Sequence, residues 1–127
     1  FLEIMLSSIN ASLDRLEIDL DDSYAVTVVL ASDGYPESYK KGMKISGLDQ
    51  IKDEIIFHAG TKFENNNLIA SGGRVINVIG INKNLKAAIN YAYNLAEKIN
   101  FDNKYYRKDI GVKAFKYLQK KDEWWLI

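Results

Sequence analysis

Six consecutive residues, Ala25-Val26-Thr27-Val28-Val29-Leu30, are apolar or β-branched and stand between an acidic run and a turn. β-Branched side chains are stiff about χ1 and suit a pleated strand better than a helix. The run is too short for a buried helix. Its continuity predicts a strand over Tyr24–Ala31 that is covered on both faces. Ile55–Ala59 predicts a second strand, ending at Gly60-Thr61-Lys62. Asn65-Asn66-Asn67 predicts a hairpin loop, because asparagine tolerates left-handed backbone. The return strand is Leu68–Ser71. After Gly72-Gly73 comes a strand over Arg74–Ile81, with Val75, Asn77, Ile79 and Ile81 on one face.

Three helices complete the reading. Leu85, Ala88, Ile89, Ala92, Ala96 and Ile99 form one stripe at steps of three and four, which predicts a covering helix over 85–99 with Asn84 as N-cap. Leu2, Met5, Leu6, Ile9, Leu13 and Leu16 predict an N-terminal helix over 2–17, ended by the acidic run Glu17–Asp22. A last helix begins near Asp109 and runs to about 119, with Ile110, Ala114, Phe115 and Leu118 buried. Residues 37–54 are polar and irregular. The fold class is α+β, strands in the middle and helices around them.

Composition removes functions without proposing one. The 127 residues are 47% hydrophobic and 27% charged, which is one ordinary globular domain and not a disordered chain. The 17 basic and 17 acidic side chains cancel, so the basic excess of a nucleic-acid binder is missing. With no cysteine and one histidine, disulfide frameworks, zinc–thiolate sites, cysteine nucleophiles and multi-histidine sites are excluded. No apolar run reaches the length of a membrane span. The first residues lack the pattern of a signal peptide. A cytoplasmic setting is expected. The start at Phe1, inside a helical pattern, reads as a fragment of something longer. Residues 120–127, with Trp124 and Trp125, read as a tail covering a surface.

The unusual residues cluster at three turns beside strand ends: Ser32-Asp33-Gly34-Tyr35-Pro36, His58-Ala59-Gly60-Thr61-Lys62 and Ser71-Gly72-Gly73-Arg74-Val75. Glycine lets backbone N–H groups approach a ligand and form an anion-binding concavity. Arg74 is one of three arginines against fourteen lysines, and its planar fork suits phosphate or carboxylate. The alternative is plain: hairpin and bulge glycines with a surface arginine. His58, in a short apolar strand, reads as a hydrogen-bonded structural residue more readily than as a base. No nucleophile elbow, phosphate loop or dinucleotide fingerprint occurs. Lys44, between Met43 and Ile45, has the local look of the modified lysine of a carrier domain, but lies in a lysine-rich segment. The acidic run lacks the glycine and glutamate of an EF-hand loop and reads as a solvated connector.

Five strings in order resemble the C-terminal domain of the phosphoribosylamine–glycine ligase family. They are Val28-Val29-Leu30-Ala31-Ser32-Asp33-Gly34-Tyr35-Pro36, Tyr39-Lys40-Lys41-Gly42, Phe57-His58-Ala59-Gly60-Thr61, Ser71-Gly72-Gly73-Arg74-Val75 and Tyr105-Tyr106-Arg107-Lys108-Asp109-Ile110-Gly111. The sequence departs where Asp33 replaces a second small residue and Glu37 a glycine. The resemblance implies a β-rich domain related to the single-hybrid (barrel-sandwich hybrid-like) motif. It implies residues 1–22 as the segment leaving an ATP-grasp domain, and 23–119 as the C-terminal domain.

By the same resemblance the parent enzyme joins glycine to 5-phosphoribosylamine with ATP, in purine biosynthesis. ATP and Mg²⁺ would lie in the ATP-grasp domain, with none in this fragment. This chain would be a wall of the active site, contributing Gly34, Tyr35, His58, Gly60, Thr61, Gly72, Gly73 and Arg74 to substrate binding and no general acid or base. Its partners would be the two substrates and the preceding domain, not nucleic acid or membrane. The competing reading is a non-enzymatic carrier or interaction module.

Overall fold

The computed structural model describes residues 1–121, and for 119–121 the backbone alone. The predicted tail over 120–127 lies almost wholly outside the described residues. The elements in order are α1 (Leu2–Ile9), β1 (Tyr24–Ser32), β2 (Met43–Lys44), β3 (Ile56–His58), β4 (Thr61–Glu64), β5 (Asn67–Ala70), β6 (Arg74–Asn82), α2 (Leu85–Lys98), β7 (Lys104–Tyr105) and α3 (Val112–Lys121). A four-stranded antiparallel sheet has the order β3-β6-β1-β7, and a three-stranded one the order β2-β5-β4. The α+β class is as read.

The core lies between the larger sheet and α2. Val26, Val28 and Leu30 of β1 alternate inward and meet Gly80, Val78 and Ile76 of β6 in register. Leu85, Ala88, Ile89, Ala92, Leu95 and Ala96 of α2 close over them. Burying each large aliphatic side chain contributes about 1.5–3 kcal/mol. The helix can lie so close because Gly80 has no side chain: a methyl group there would stand 2.6 Å from the Ala92 backbone nitrogen. Asn84 caps α2 as expected, its side-chain oxygen accepting from Ala87 N at 3.0 Å. At the other end the Lys104 ammonium donates to the carbonyls of Ala96 at 2.9 Å and Ile99 at 2.6 Å. Those are two of the carbonyls a helix end leaves without partners.

Several expectations need correction. β1 is covered on one face only: Thr27 is exposed and Val29 half-buried, because no second layer lies on that side among the described residues. Asn77, Ile79 and Ile81 of β6 share this open face. Val75 leaves it, because a bulge lets Leu30 oppose Ile76 while Ala31 opposes Arg74. Such a bulge leaves one extra residue unpaired and re-aims its neighbours. Val75 and Ile76 are therefore both buried, and Arg74 is exposed.

The N-terminal helix stops at Ile9, with Asn10 as cap and Ala11 at φ +51°; a 3-10 turn follows at Leu13–Arg15. None of its residues is buried. A stripe with nothing to pack on does not carry a short helix further. The last helix begins at Val112, three residues late, because residues 107–110 are held in a loop. The Tyr93 hydroxyl donates to the Arg107 carbonyl at 2.8 Å and accepts from Ile110 N at 3.0 Å. Ile110, Ala114 and Leu118 pack on the core, whereas Phe115 is exposed.

The Asn65-Asn66 hairpin is present, with both residues at positive φ, but it joins β4 to β5. The strand before it, β3, pairs with β6 instead. Residues 37–54 are not wholly irregular, since they hold β2 and a 3-10 turn at Leu48–Gln50.

Candidate functional site

The three glycine-bearing turns meet at one end of the larger sheet, where β1 and β3 finish and β6 begins. Two glycines make the meeting possible. Gly60 N donates to the Arg74 carbonyl at 2.7 Å, and the Gly60 carbonyl accepts from Ser71 N at 2.8 Å and Gly72 N at 3.0 Å. A methyl group on Gly60 would stand 2.5 Å from the Arg74 carbonyl oxygen, so only glycine permits this approach. The buried Ser32 ties in the first turn. Its N–H donates to the Gly73 carbonyl at 2.8 Å and its hydroxyl to the Gly72 carbonyl at 3.1 Å. Ser32 was not among the expected site residues; burial of a lone serine in contact with two glycines is not readable from sequence.

The Tyr35 ring lies on Gly73, occupying the space a side chain there would fill. Tyr39 meets Tyr35 edge-on, with ring centroids 5.8 Å apart. Gly34 turns the chain at φ +92° against the Ser38 carbonyl. His58 Nδ1 lies 3.1 Å from the Thr61 hydroxyl, which fixes the ring across the Gly60 turn. The hydroxyl can donate to a bare Nδ1 or accept from a protonated one. All eight expected residues thus belong to one cluster: Tyr35 with Gly34 and Gly73, His58 with Thr61, and Gly60 with Gly72 and Arg74.

The bulge places Arg74 opposite Ala31, which is also opposite Tyr105 of β7. Arg74 and Tyr105 therefore flank a small residue, and both are exposed. Tyr105 stood in one of the recognised strings, but only the pairing of a two-residue strand brings it here. Among the described residues Arg74 forms no ion pair. Its guanidinium is free for an anion. The N–H groups of Gly60 and Gly72 are spent inside the fold, so these turns offer phosphate no backbone cradle at those two positions. The chemistry on offer is a fixed cation, a hydrogen-bonding imidazole and aromatic walls. Chemically, that set has the means to position an anionic ligand and contains no activated nucleophile.

Lys44 lies inside β2, paired with Ile69, and not at a hairpin tip, so the carrier-type presentation is not formed. Among the described residues no group of three or more metal-ligating side chains stands together. No described helix is long and apolar enough to cross a membrane.

Residues 25–113 match the family model "Phosphoribosylglycinamide synthetase, C domain". The chain belongs to this family. The chain is similar to part of the phosphoribosylamine–glycine ligase of Caldanaerobacter subterraneus subsp. tengcongensis. Identity is 43% over 111 residues, covering 87% of this chain and 27% of that protein. It is 45% identical over 125 residues to the bifunctional purine biosynthetic protein purD of Dictyostelium discoideum, covering 95% of this chain and 15% of that one. The crystal structure of the phosphoribosylamine–glycine ligase of Thermotoga maritima superposes with a TM-score of 0.68 at 32% identity, over 84% of this chain and 27% of that chain. The C domain described here thus spans about a quarter of the ligases it matches.

Proposed function

We propose that the full-length protein carrying this domain joins glycine to 5-phosphoribosylamine, giving glycinamide ribonucleotide, ADP and phosphate. The observation that carries the reading is the family match over residues 25–113, together with relatives above 40% identity that bear the ligase name. The glycine carboxylate takes the γ-phosphoryl group of ATP; the amine of phosphoribosylamine then attacks the acyl carbon and phosphate leaves. ATP and Mg²⁺ are assigned to an ATP-grasp domain elsewhere in the parent chain.

In this reading the turn cluster is one wall of the active site. Arg74 holds a phosphate or carboxylate, and His58 with Thr61 and Tyr35 with Gly73 shape its sides. Its contribution is orientation and charge stabilisation. Residues 1–22 act as the connector to the preceding domain. This is supported by the outward apolar side chains of α1, where Leu2 is 68% and Ile9 80% exposed. The paired small antiparallel sheets support a kinship with the single-hybrid motif. A cytoplasmic site of action accords with an enzyme of soluble metabolites.

The test is steady-state kinetics of the full-length protein. ATP turnover should require glycine and phosphoribosylamine together. Arg74→Ala should raise a substrate KM or lower kcat by about tenfold or more, with the unfolding midpoint held. Unchanged kinetics would remove Arg74 from the site.

A further inference from the structure

Ser32 is the one polar side chain buried among the described residues, at 1% exposure, in a core that is otherwise apolar. Burying a hydroxyl is costly unless it is hydrogen-bonded. This one donates to the Gly72 carbonyl at 3.1 Å. The N–H of the same residue donates to the Gly73 carbonyl at 2.8 Å. A single residue at the end of β1 thus holds two consecutive carbonyls, and they belong to the two residues that precede Arg74.

Two glycines in succession leave the backbone before Arg74 with no side chain of its own to limit it. Hydrogen bonds do that instead. Gly72 N donates to the Gly60 carbonyl at 3.0 Å, and the Arg74 carbonyl accepts from Gly60 N at 2.7 Å. These bonds, like that of Ser32 N, join main chain to main chain and survive a change of side chain at position 32. The bond to the Gly72 carbonyl does not: it hangs on the Ser32 hydroxyl. Without it the Gly72–Gly73 peptide plane is free to turn, one peptide away from the arginine. Ser32 is tied on its other side too, because it stands opposite Lys104 of β7. Its neighbour Ala31 stands opposite both Arg74 and Tyr105, so the frame that Ser32 closes is the one that carries these two exposed side chains.

We infer that Ser32 is a positioning residue for Arg74: by holding the Gly72 carbonyl it fixes the backbone from which the guanidinium reaches its ligand. The inference rests on the reading of Arg74 as a substrate ligand of the ligase. Ser32 is buried and acts only through the glycine pair. What it supplies is pre-organisation, since a side chain whose backbone is already placed has less freedom to lose when its ligand arrives.

The experiment is steady-state kinetics of the full-length protein as Ser32→Ala, Arg74→Ala and the double variant, with kcat taken per folded molecule. A merely structural loss lowers the folded fraction, which moves neither KM nor kcat so defined. Ser32→Ala should shift the same constant for the same substrate as Arg74→Ala, by about threefold to tenfold, the size of one hydrogen bond. In the Arg74→Ala background it should have no further effect. Ser32→Cys, close in volume but a weaker donor, should shift that constant by less, and it carries the test if the alanine variant does not fold. Constants unmoved by the Ser32 variants, while Arg74→Ala moves them, overturn the inference and leave the ligase reading standing. A Ser32 effect that persists undiminished in the Arg74→Ala background means that Ser32 acts on something else, and overturns it as well. Absence of ligase turnover, or kinetics unmoved by Arg74→Ala, sinks the reading beneath it, and the inference falls with that reading.

Discussion

Gly60 and Gly72 face each other with no room for a side chain between them: a methyl group on Gly60 would stand 2.6 Å from the Gly72 α-carbon. The contact is asymmetric. A methyl on Gly60 also meets the Arg74 carbonyl oxygen at 2.5 Å, whereas one on Gly72 meets that oxygen at an ordinary 3.6 Å. Gly60→Ala should therefore cost more than Gly72→Ala, about 1–3 kcal/mol against less. Urea midpoints of the two variants check this, and equal losses would contradict it.

Gly80→Ala tests the seat of α2. The new methyl meets backbone atoms of Ala88 and Ala92, which no rotamer change relieves. The helix must lift from β6, at a cost of about 1–3 kcal/mol or more. Restoring space with Ala92→Gly should recover little, because the clash is with main chain. Full recovery in the double variant would show that the side-chain contact was the one that mattered.

Lys104→Met should leave the Ala96 and Ile99 carbonyls without their charged donor. The expected loss is about 1–3 kcal/mol, read as a lower thermal midpoint with faster amide exchange confined to the last turn of α2. Uniform protection along the helix would mean that Lys104 does not cap it.

Asp109 should titrate below the ordinary aspartate range. Arg107 donates to both of its oxygens, at 2.9 Å from Nε and by a second bond from the terminal nitrogen; that hydrogen bonding lowers the carboxyl pKa, and desolvation opposes it. A depressed folded-state pKa contributes stability above the unfolded value and loses it as pH falls through the folded one. The effect is small because the pair is exposed. Arg107→Gln should return the Asp109 carboxyl toward its usual range in a carbon-detected NMR titration. An unmoved value would leave the pair without electrostatic consequence.

What the sequence disclosed follows from which patterns are local. α2 was legible because its stripe is long and Asn84 caps it through its own side chain. The Asn65-Asn66 turn was legible because its backbone demands few residue types. β4 was not: Lys62, Phe63 and Glu64 are all exposed, so Thr61–Glu64 shows no inside–outside alternation. β2 and β7 are two residues long and exist only through their partners. The apolar stripe of residues 2–17 misled, since periodicity says what a helix could bury and nothing about whether a surface awaits it. For the site, glycine clustering marked the right three turns. It could not show that the Gly60 and Gly72 N–H groups are consumed internally, or that a bulge at Val75 turns Arg74 outward.

The chain passes from the larger sheet to the smaller at Gly60, between β3 and β4, and returns at Gly72-Gly73, between β5 and β6. Both crossings run side by side through the same glycine clasp. The smaller sheet carries Lys44 on β2, and the returning strand opens with Arg74. A single methyl group added at Gly60 would press on Gly72 and on the Arg74 carbonyl together, so it would disturb both crossings and the start of β6 in one step.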